Sequence, residues 1–285
     1  MEQSKQQQHG GWFSVLLVTA LGFAVCIIVA ILAAQTSYSG VRAPLSQLAE
    51  PRVFRAVILS FATATPAAVA ALVLAIPCAY ALARLDFTGK RIVDALLDVP
   101  VVLSPVALGF SLVLLFQTSG GQWFQEHVVR VVYAVPGIMI AQFILALALC
   151  IRVLKASFEE VPVRLEQVAR FLGCTPWQAF MRVSLPLARP GILAAFVLGW
   201  ARAMGDFGAT VTIAGAIPGK TETMPIAIDL NMSSMQLDRA VALMLLLTVL
   251  ALVVLVLSRV VLGSRRVGGN GHGAADASRG GDSGE

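Results

Sequence analysis

The sequence predicts an all-α polytopic membrane protein in which six helices cross the bilayer. The chain of 285 residues is 58% hydrophobic and only 13% charged, whereas soluble globular domains carry about 25% charged residues. Several apolar stretches reach the roughly 20 residues that a helix needs to span a bilayer. Strands of membrane barrels are shorter and alternate apolar with polar residues, so a barrel is not expected. The six predicted spans cover residues 12–34, 56–83, 99–116, 131–151, 191–217 and 240–262.

The first predicted span differs from a cleaved signal peptide, because its apolar run is longer than the roughly 7–15 residues of a signal core. We therefore expect residues 1–52 to hold a lead-in and a retained first helix, followed by the main bundle over residues 53–262. Residues 263–285 are rich in glycine and poor in apolar side chains, which predicts a disordered tail.

Prolines interrupt three of the predicted spans. Pro66 and Pro77 lie in the second span, Pro105 in the third and Pro136 in the fourth. Proline lacks the amide that a helix interior uses, so each position predicts a kink whose freed carbonyl is satisfied by neighbouring groups. These kinks are either ordinary features of a packed bundle or points at which helices splay during function.

Positive charge is unevenly divided between the two sides of the predicted bundle. With the N-terminus placed inside, fourteen of the 21 Lys and Arg residues fall on the cytoplasmic side and six on the other, with Arg202 inside a span. The positive-inside rule therefore places both termini in the cytoplasm, together with a polar segment over residues 152–189. This asymmetry accounts for the net charge of +5 without a nucleic-acid partner.

No residues in the sequence have the spacing of a metal or catalytic site. The four cysteines are scattered, and the three histidines are equally dispersed. Gly219-Lys220-Thr221 is similar to the end of a phosphate-binding loop, but the glycine required five positions earlier is replaced by Ala214. We expect no metal, no ATP site and no bound cofactor in this chain.

The polar segment divides into two short predicted helices. Pro162 suits the first turn of one helix, and Gly173 suits the position just beyond its end, where a left-handed conformation is needed. Thr175 and Gln178 have the spacing of a capping box, which predicts that the second helix begins at once.

The second predicted helix, opened by Pro176, has an apolar face. Trp177, Phe180 and Met181 recur at helical spacing, with Arg182 on the other side. Such a helix is typical of a ligand that lies in a partner's hydrophobic groove, since Trp and Arg are favoured interface anchors. The alternative is that this face packs against the protein's own helices or lies on the membrane surface.

The polar segment resembles the cytoplasmic EAA loop of ABC-transporter permeases. That loop has the approximate pattern E-A-A, three residues, G, nine residues, I-x-L-P, and this chain has valine in place of the isoleucine. Of the three opening positions only Ala169 matches, and Glu166 lies one residue early. An early glutamate is similar to the molybdate and sulfate branch, whose loop is approximately L-E-x-A-A-R-x-L-G. The matching residues are Leu165, Glu166, Ala169, Arg170, Leu172, Gly173, Val183, Leu185 and Pro186.

The resemblance extends beyond this loop. Residues 200–210 (WARAMGDFGAT), 217–223 (IPGKTET) and 224–228 (MPIAI) are similar to the matching region of molybdate permease subunits, and sulfate and thiosulfate permeases share much of it. The resemblance implies a type I importer bundle in a bacterial inner membrane, which we expect to work as a homodimer. It also implies ABC ATPase subunits that hold ATP and Mg, and a periplasmic protein that delivers the oxyanion. The implied coupling residues are Glu166, Ala169, Gly173, Thr175, Pro176, Trp177, Phe180, Met181, Arg182, Leu185 and Pro186.

The fifth predicted span contains two charges. Arg202 and Asp206 are four residues apart, which places them on one face of a helix. Charges at bilayer depth are costly and face a bundle interior or an aqueous cavity. They are either a mutually neutralised pair that holds helices together, or the border of a pathway in which Arg202 attracts an oxyanion. The neighbouring gate candidates are Gly205 and Gly208, for close packing or a hinge, and Thr210, as a hydroxyl donor.

The first functional hypothesis is therefore an importer permease for molybdate, with tungstate as a look-alike, because both are tetrahedral dianions. Within the same class, sulfate or thiosulfate is the alternative substrate. A stand-alone anion channel or secondary transporter is an alternative from another class, but it leaves the ordered polar segment without a purpose. A membrane enzyme is a third hypothesis, and no catalytic arrangement in the sequence supports it.

Overall fold

A computed structural model describes the backbone of residues 2–39 and 50–263 and the side chains of residues 14–37 and 50–256. The described part is helical and contains no strand, as the sequence predicts. The predicted disordered tail lies outside the described residues, apart from residue 263, which ends the last helix.

Thirteen α-helices follow one another in the described part of the chain. They are α1 (Glu2–Ser39), α2 (Pro51–Arg84), α3 (Lys90–Val102), α4 (Pro105–Gln117), α5 (Ser119–His127), α6 (Val135–Glu160), α7 (Val163–Phe171), α8 (Pro176–Ala179), α9 (Leu185–Leu187), α10 (Arg189–Met204), α11 (Gly208–Ala214), α12 (Met224–Ser233) and α13 (Leu237–Gly263). A π-helical turn, Phe180–Ser184, joins α8 to α9, so Pro176–Leu187 forms one continuous helical segment.

Four helices are long and apolar enough to cross a membrane. Two further spans arise when each of two bent helix pairs is taken as one crossing, which brings the number among the described residues to six. The unbroken candidates are Ser14–Ser37, Pro51–Arg84, Val135–Glu160 and Leu237–Val256, and the bent pairs are α3 with α4 and the Pro176–Leu187 segment with α10.

The third predicted span is bent more sharply than a kink within one continuous helix. α3 and α4 meet at an angle of 110°, at residues 103 and 104. Pro105 is the cause, because the residue before a proline is driven out of the helical region, and Ser104 is extended with ψ at 136°. Pro136 likewise occupies the first turn of α6 instead of a kink inside a span, where its missing amide costs nothing.

α3 is an amphipathic helix whose carboxylates pair with α6. Asp94 accepts a hydrogen bond from Lys155 Nζ at 2.6 Å, and Asp98 lies 2.9 Å from Arg152 Nη2. These four charges flank the end of α6, which continues to Glu160 beyond the predicted limit at residue 151. The polar loop between α6 and α10 therefore begins at residue 161.

The core of the bundle lies where α2, α6 and α10 meet. The contact between α2 and α6 is the most extensive between any two described helices, and α10 packs on both. Small side chains let these helices approach closely. Trp200 ties α10 to α2 by donating a hydrogen bond from Nε1 to Thr65 Oγ1 at 3.1 Å. The buried alanines on this face of α2 are Ala64, Ala67, Ala68, Ala71, Ala75 and Ala79.

α1 and α13 lie at the outside of this core. None of the hydrophobic window of Ser14–Ser37 is buried within the bundle, and α1 makes its contacts with α13. The fifth predicted span, residues 191–217, was wrong as one continuous helix. α10 ends at Met204, residues 205–207 break the helix, and α11 follows as a separate short element.

Enlarging a side chain in the α2 core should destabilise the bundle. Ala68 is fully buried among side chains of α6 and α10, so A68L should lower the free energy of unfolding by about 1–3 kcal/mol through overpacking. The matched control is V69L, because Val69 is 46% exposed on the opposite face. Thermal unfolding in detergent should show a lower Tm for A68L only, and equal Tm values would contradict this account of the core.

Candidate functional site

The polar loop contains two helices joined by a sharp turn. Gly173 follows α7 with φ at +92°, a conformation that a residue with a Cβ adopts only under strain. Cys174 N then donates to Ala169 O at 3.1 Å, which closes the end of the helix. The predicted capping box is confirmed, since Gln178 N donates to Thr175 Oγ1 at 3.3 Å and Thr175 N donates to Gln178 Oε1 at 3.0 Å.

The outer side of this loop is apolar and exposed. Phe171 is 90% exposed, Leu172 81% and Trp177 65%. Large exposed apolar side chains gathered on one ordered polar loop are typical of an interaction surface. We call it the docking surface, and its members are Val163, Leu165, Val168, Phe171, Leu172, Trp177 and Met181.

The predicted apolar face of the second loop helix is divided in the structure. Trp177 and Met181 are exposed, whereas Phe180 is 7% exposed and faces the bundle. Its ring centroid lies 4.5 Å from that of Tyr80 on α2 and 6.2 Å from that of Phe158 on α6. The alternative that this face packs on the protein's own helices is thus realised for Phe180, while Trp177, whose ring centroid lies 5.7 Å from that of Phe180, stays exposed.

Other predicted coupling residues surround this aromatic contact. Thr175, Pro176 and Arg182 are exposed, and Ala169, Leu185 and Pro186 are half-buried. Leu185 and Pro186 belong to α9, where the helical segment turns through 69° into α10. The loop is thus held between the end of α6 and the start of α10.

Glu166 does not belong to the exposed surface. Its Oε1 lies 2.9 Å from Arg84 Nε, and its Oε2 accepts a hydrogen bond from Tyr80 Oη at 3.0 Å. Arg84 Nη2 also donates to the carbonyl of Val161, where α6 ends, at 2.6 Å. The sequence analysis missed Tyr80 and Arg84, although a lone arginine ending an apolar span indicates a site where the chain meets a polar partner.

The break after α10 is organised by Asp206, which is 1% exposed. Its Oδ2 accepts hydrogen bonds from the amide of Thr210 at 2.9 Å and from the Thr210 hydroxyl at 2.8 Å, which satisfies one of the free amides in the first turn of α11. Its Oδ1 lies 3.7 Å from Arg202 Nη1. The predicted Arg202–Asp206 pair therefore exists, with the guanidinium partly exposed at 35% and the carboxylate buried.

The small residues near this break have different surroundings. A Cβ added to Gly208 would lie 3.0 Å from Pro105 Cβ, because α11 packs tightly against the start of α4. A Cβ on Gly205 would meet only the Ala201 carbonyl, at 3.3 Å. Thr210 is fully buried. These residues thus shape the turn between α10 and α11.

The segment after α11 is a compact polar loop that includes residues 217–223, one of the stretches similar to molybdate permeases. Glu222 is 3% exposed, pairs with Arg52 Nε at 2.9 Å and accepts from the amide of Gly219 at 3.0 Å. Ser60 on α2 accepts from the amide of Met224 at 2.8 Å. These contacts fix residues 217–223 against the start of α2. Among the described residues, no group of three or more His, Cys, Asp or Glu is placed to hold a metal ion.

Two relatives show similarity over most of a permease domain. The sulfate transport system permease protein CysW of Synechocystis sp. is 38% identical over 184 residues, which cover 64% of this chain and 67% of that protein. The molybdenum transport system permease protein ModB of Haemophilus influenzae is 36% identical over 178 residues, covering 60% and 76% respectively.

The fold is also similar to a solved structure. The crystal structure of a bacterial alginate ABC transporter, in complex with alginate pentasaccharide-bound periplasmic protein, has a TM-score of 0.69. The match covers 90% of this chain and 94% of that chain at 17% sequence identity, so it supports the fold alone.

Several helices of membrane length, together with a polar loop that joins α6 to α10, define a polytopic membrane protein. The chain belongs to the family of binding-protein-dependent transport system inner membrane components, whose model matches residues 69–268. It has the type I bundle of ABC importer permeases and is the membrane component of such an importer.

A side chain at Gly173 should loosen the polar loop. G173V places a β-branched residue at φ +92°, which costs about 1–3 kcal/mol in backbone strain. The matched control is G120V, because an added Cβ meets nothing within 4 Å at either glycine and only Gly173 has positive φ. Hydrogen exchange in residues 163–187 should accelerate in G173V alone. Equal exchange in both variants would show that the turn tolerates a side chain.

Proposed function

We propose that this chain is the permease subunit of an ATP-driven importer that moves molybdate across a bacterial inner membrane. The observation that carries the mechanism is the docking surface, an exposed apolar face on an ordered loop that is anchored to α2 and α6. The similarity of residues 200–228 to molybdate permeases and the relationship to ModB support the substrate. Tungstate, a dianion of the same shape, is expected to follow the same route.

The docking surface is the proposed site of coupling to an ABC ATPase subunit. Phe171, Leu172 and Trp177 project from the turn around Gly173 and leave most of their apolar area uncovered. An ATPase groove would bury them and so gain the free energy of removing that area from water. ATP and Mg belong to this partner, and the permease binds no cofactor of its own.

The orientation of the chain follows from its charges. The excess of Lys and Arg on the side of the polar loop places that loop and both termini in the cytoplasm. A second identical permease completes the pathway, and a periplasmic binding protein delivers the oxyanion to the opposite face. Closure of the ATPases would then favour one of two bundle states through differential contacts at the docking surface.

Arg202 is the proposed contact of the oxyanion within the bundle. Its guanidinium is partly exposed, and its distance of 3.7 Å from Asp206 leaves the charge only loosely paired. Asp206 moderates the attraction, which favours release of the anion after binding. Gly205, Gly208 and Thr210 would act through the shape of the break that presents Arg202.

Sulfate or thiosulfate is the second candidate substrate, because CysW, a sulfate permease, is 38% identical. Sulfate and molybdate are both tetrahedral dianions, so the binding protein would supply most of the discrimination. A stand-alone channel or secondary transporter is disfavoured, because the docking surface would then remain uncovered in water.

Replacing Trp177 should separate the permease from its ATPase. W177D puts a charge at the centre of the docking surface and should weaken ATPase binding by roughly 30-fold or more, the effect of losing an interface hot spot. W123D is the matched control, because Trp123 is 59% exposed but belongs to α5, outside the loop. Co-purification with the ATPase and ATP-dependent uptake should fail in W177D and persist in W123D. If W177D still co-purified with the ATPase and still supported uptake, the coupling proposal would be refuted.

Uptake by the complete complex tests the substrate. Proteoliposomes that contain the permease, its ATPase and its binding protein should accumulate labelled molybdate when ATP is supplied. An excess of unlabelled tungstate should compete more strongly than sulfate. Strong sulfate uptake without molybdate uptake would instead establish the second candidate.

A further inference from the structure

A buried ion pair connects the polar loop to the end of α2. The Arg84 and Glu166 side chains are only 9% and 10% exposed, and Arg84 Nε lies 2.9 Å from Glu166 Oε1. The second carboxylate oxygen is held by the Tyr80 hydroxyl at 3.0 Å. Because both oxygens have separate donors, the carboxylate is fixed in orientation as well as position.

The same residues reach the other elements of the loop. Arg84 Nη2 donates to the carbonyl of Val161 at 2.6 Å, where α6 gives way to the loop. The ring of Tyr80 packs on Phe180 in the second loop helix, with centroids 4.5 Å apart. One turn of α2 therefore contacts the end of α6, the first loop helix and the second.

The chemistry of this contact suits the control of geometry. Removing two charges from water opposes their attraction, so a buried ion pair is weak evidence for stability and is better attested as a device that specifies one arrangement. An apolar contact tolerates sliding between helices, whereas directed hydrogen bonds to a carboxylate do not. Glu166 is buried, whereas the next residue, Gln167, is exposed.

We propose that Arg84, Tyr80 and Glu166 are positioning residues that lock the coupling loop to α2. A displacement of the docking surface by the ATPase is then transmitted to α2 as a rigid movement, and through α2 to α6 and α10. This inference rests on the proposed coupling function. It gives Glu166 an internal role in place of a direct contact with the ATPase.

The test compares ATP hydrolysis with transport in the complete complex. In the double variant R84M/E166L, apolar side chains of similar size replace the pair, a change that buried ion pairs often tolerate without loss of stability. We expect normal assembly and an ATPase rate close to that of the parent, because the docking surface is intact. The amount of molybdate accumulated per ATP hydrolysed should fall by roughly fivefold or more, since residues that link two sites modulate the coupling between them and the directed lock is gone.

Two further variants sharpen the comparison. Y80F removes only the hydroxyl that holds Glu166 Oε2, keeps the ring on Phe180 and should lower the molybdate-to-ATP ratio in the same direction. R164M is the matched control, because Arg164 is an exposed cation on the same loop helix, and it should leave the ratio unchanged.

The outcomes are distinct. A normal ratio in R84M/E166L, with normal assembly, would show that the pair serves stability alone and would overturn the proposal. Should that variant fail to assemble, a normal ratio in Y80F would overturn it equally. Absence of ATPase binding or of any oxyanion uptake by the parent complex would refute the proposed function itself, before any variant is compared.

Discussion

The close packing of α2 against α6 is the contact on which the other parts of the structure depend. Lipid offers no hydrophobic driving force between helices, so their association relies on dispersion and close approach. The alanine face of α2 permits that approach along most of the helix. α6 leads directly into the polar loop, and the last turn of α2 holds that loop. The contact between α2 and α6 therefore determines where the docking surface lies.

The breaks in the bundle obey a second constraint, because backbone groups inside a bilayer must be satisfied within the protein. At residues 205–207 the side chain of Asp206 satisfies the start of α11, and Arg202 offsets part of its charge. The same Asp206 carboxylate therefore serves the start of α11 through one oxygen and faces Arg202 with the other. The two interpretations of this pair as structural or as part of a pathway are compatible, since Asp206 is buried and Arg202 is not.

Turns and helix caps could be predicted from the sequence, whereas contacts between distant residues could not. Gly173 and the Thr175–Gln178 capping box depend on residues a few positions apart, and they were correctly placed. The kink predicted at Pro105 is a break between two helices in the structure, because a proline inside an apolar run indicates a kink and a helix start equally well. Periodicity identified Phe180 as apolar but not the side it faces. Arg84 and Glu166 are separated by 82 positions, and no local pattern around either residue predicts that the two form a pair.

α1 contributes little to the packing of the bundle, yet it adds a membrane crossing. It buries none of its hydrophobic window in the bundle, and the family match begins only at residue 69. With α1 the described spans reach as many as six, and an even number of crossings returns the chain to the side from which it started. Charges that flank the early spans of a membrane protein weigh heavily on the direction in which the chain is threaded. α1 thus adds a crossing, and with it a signal for orientation, while contributing almost nothing to the packed core.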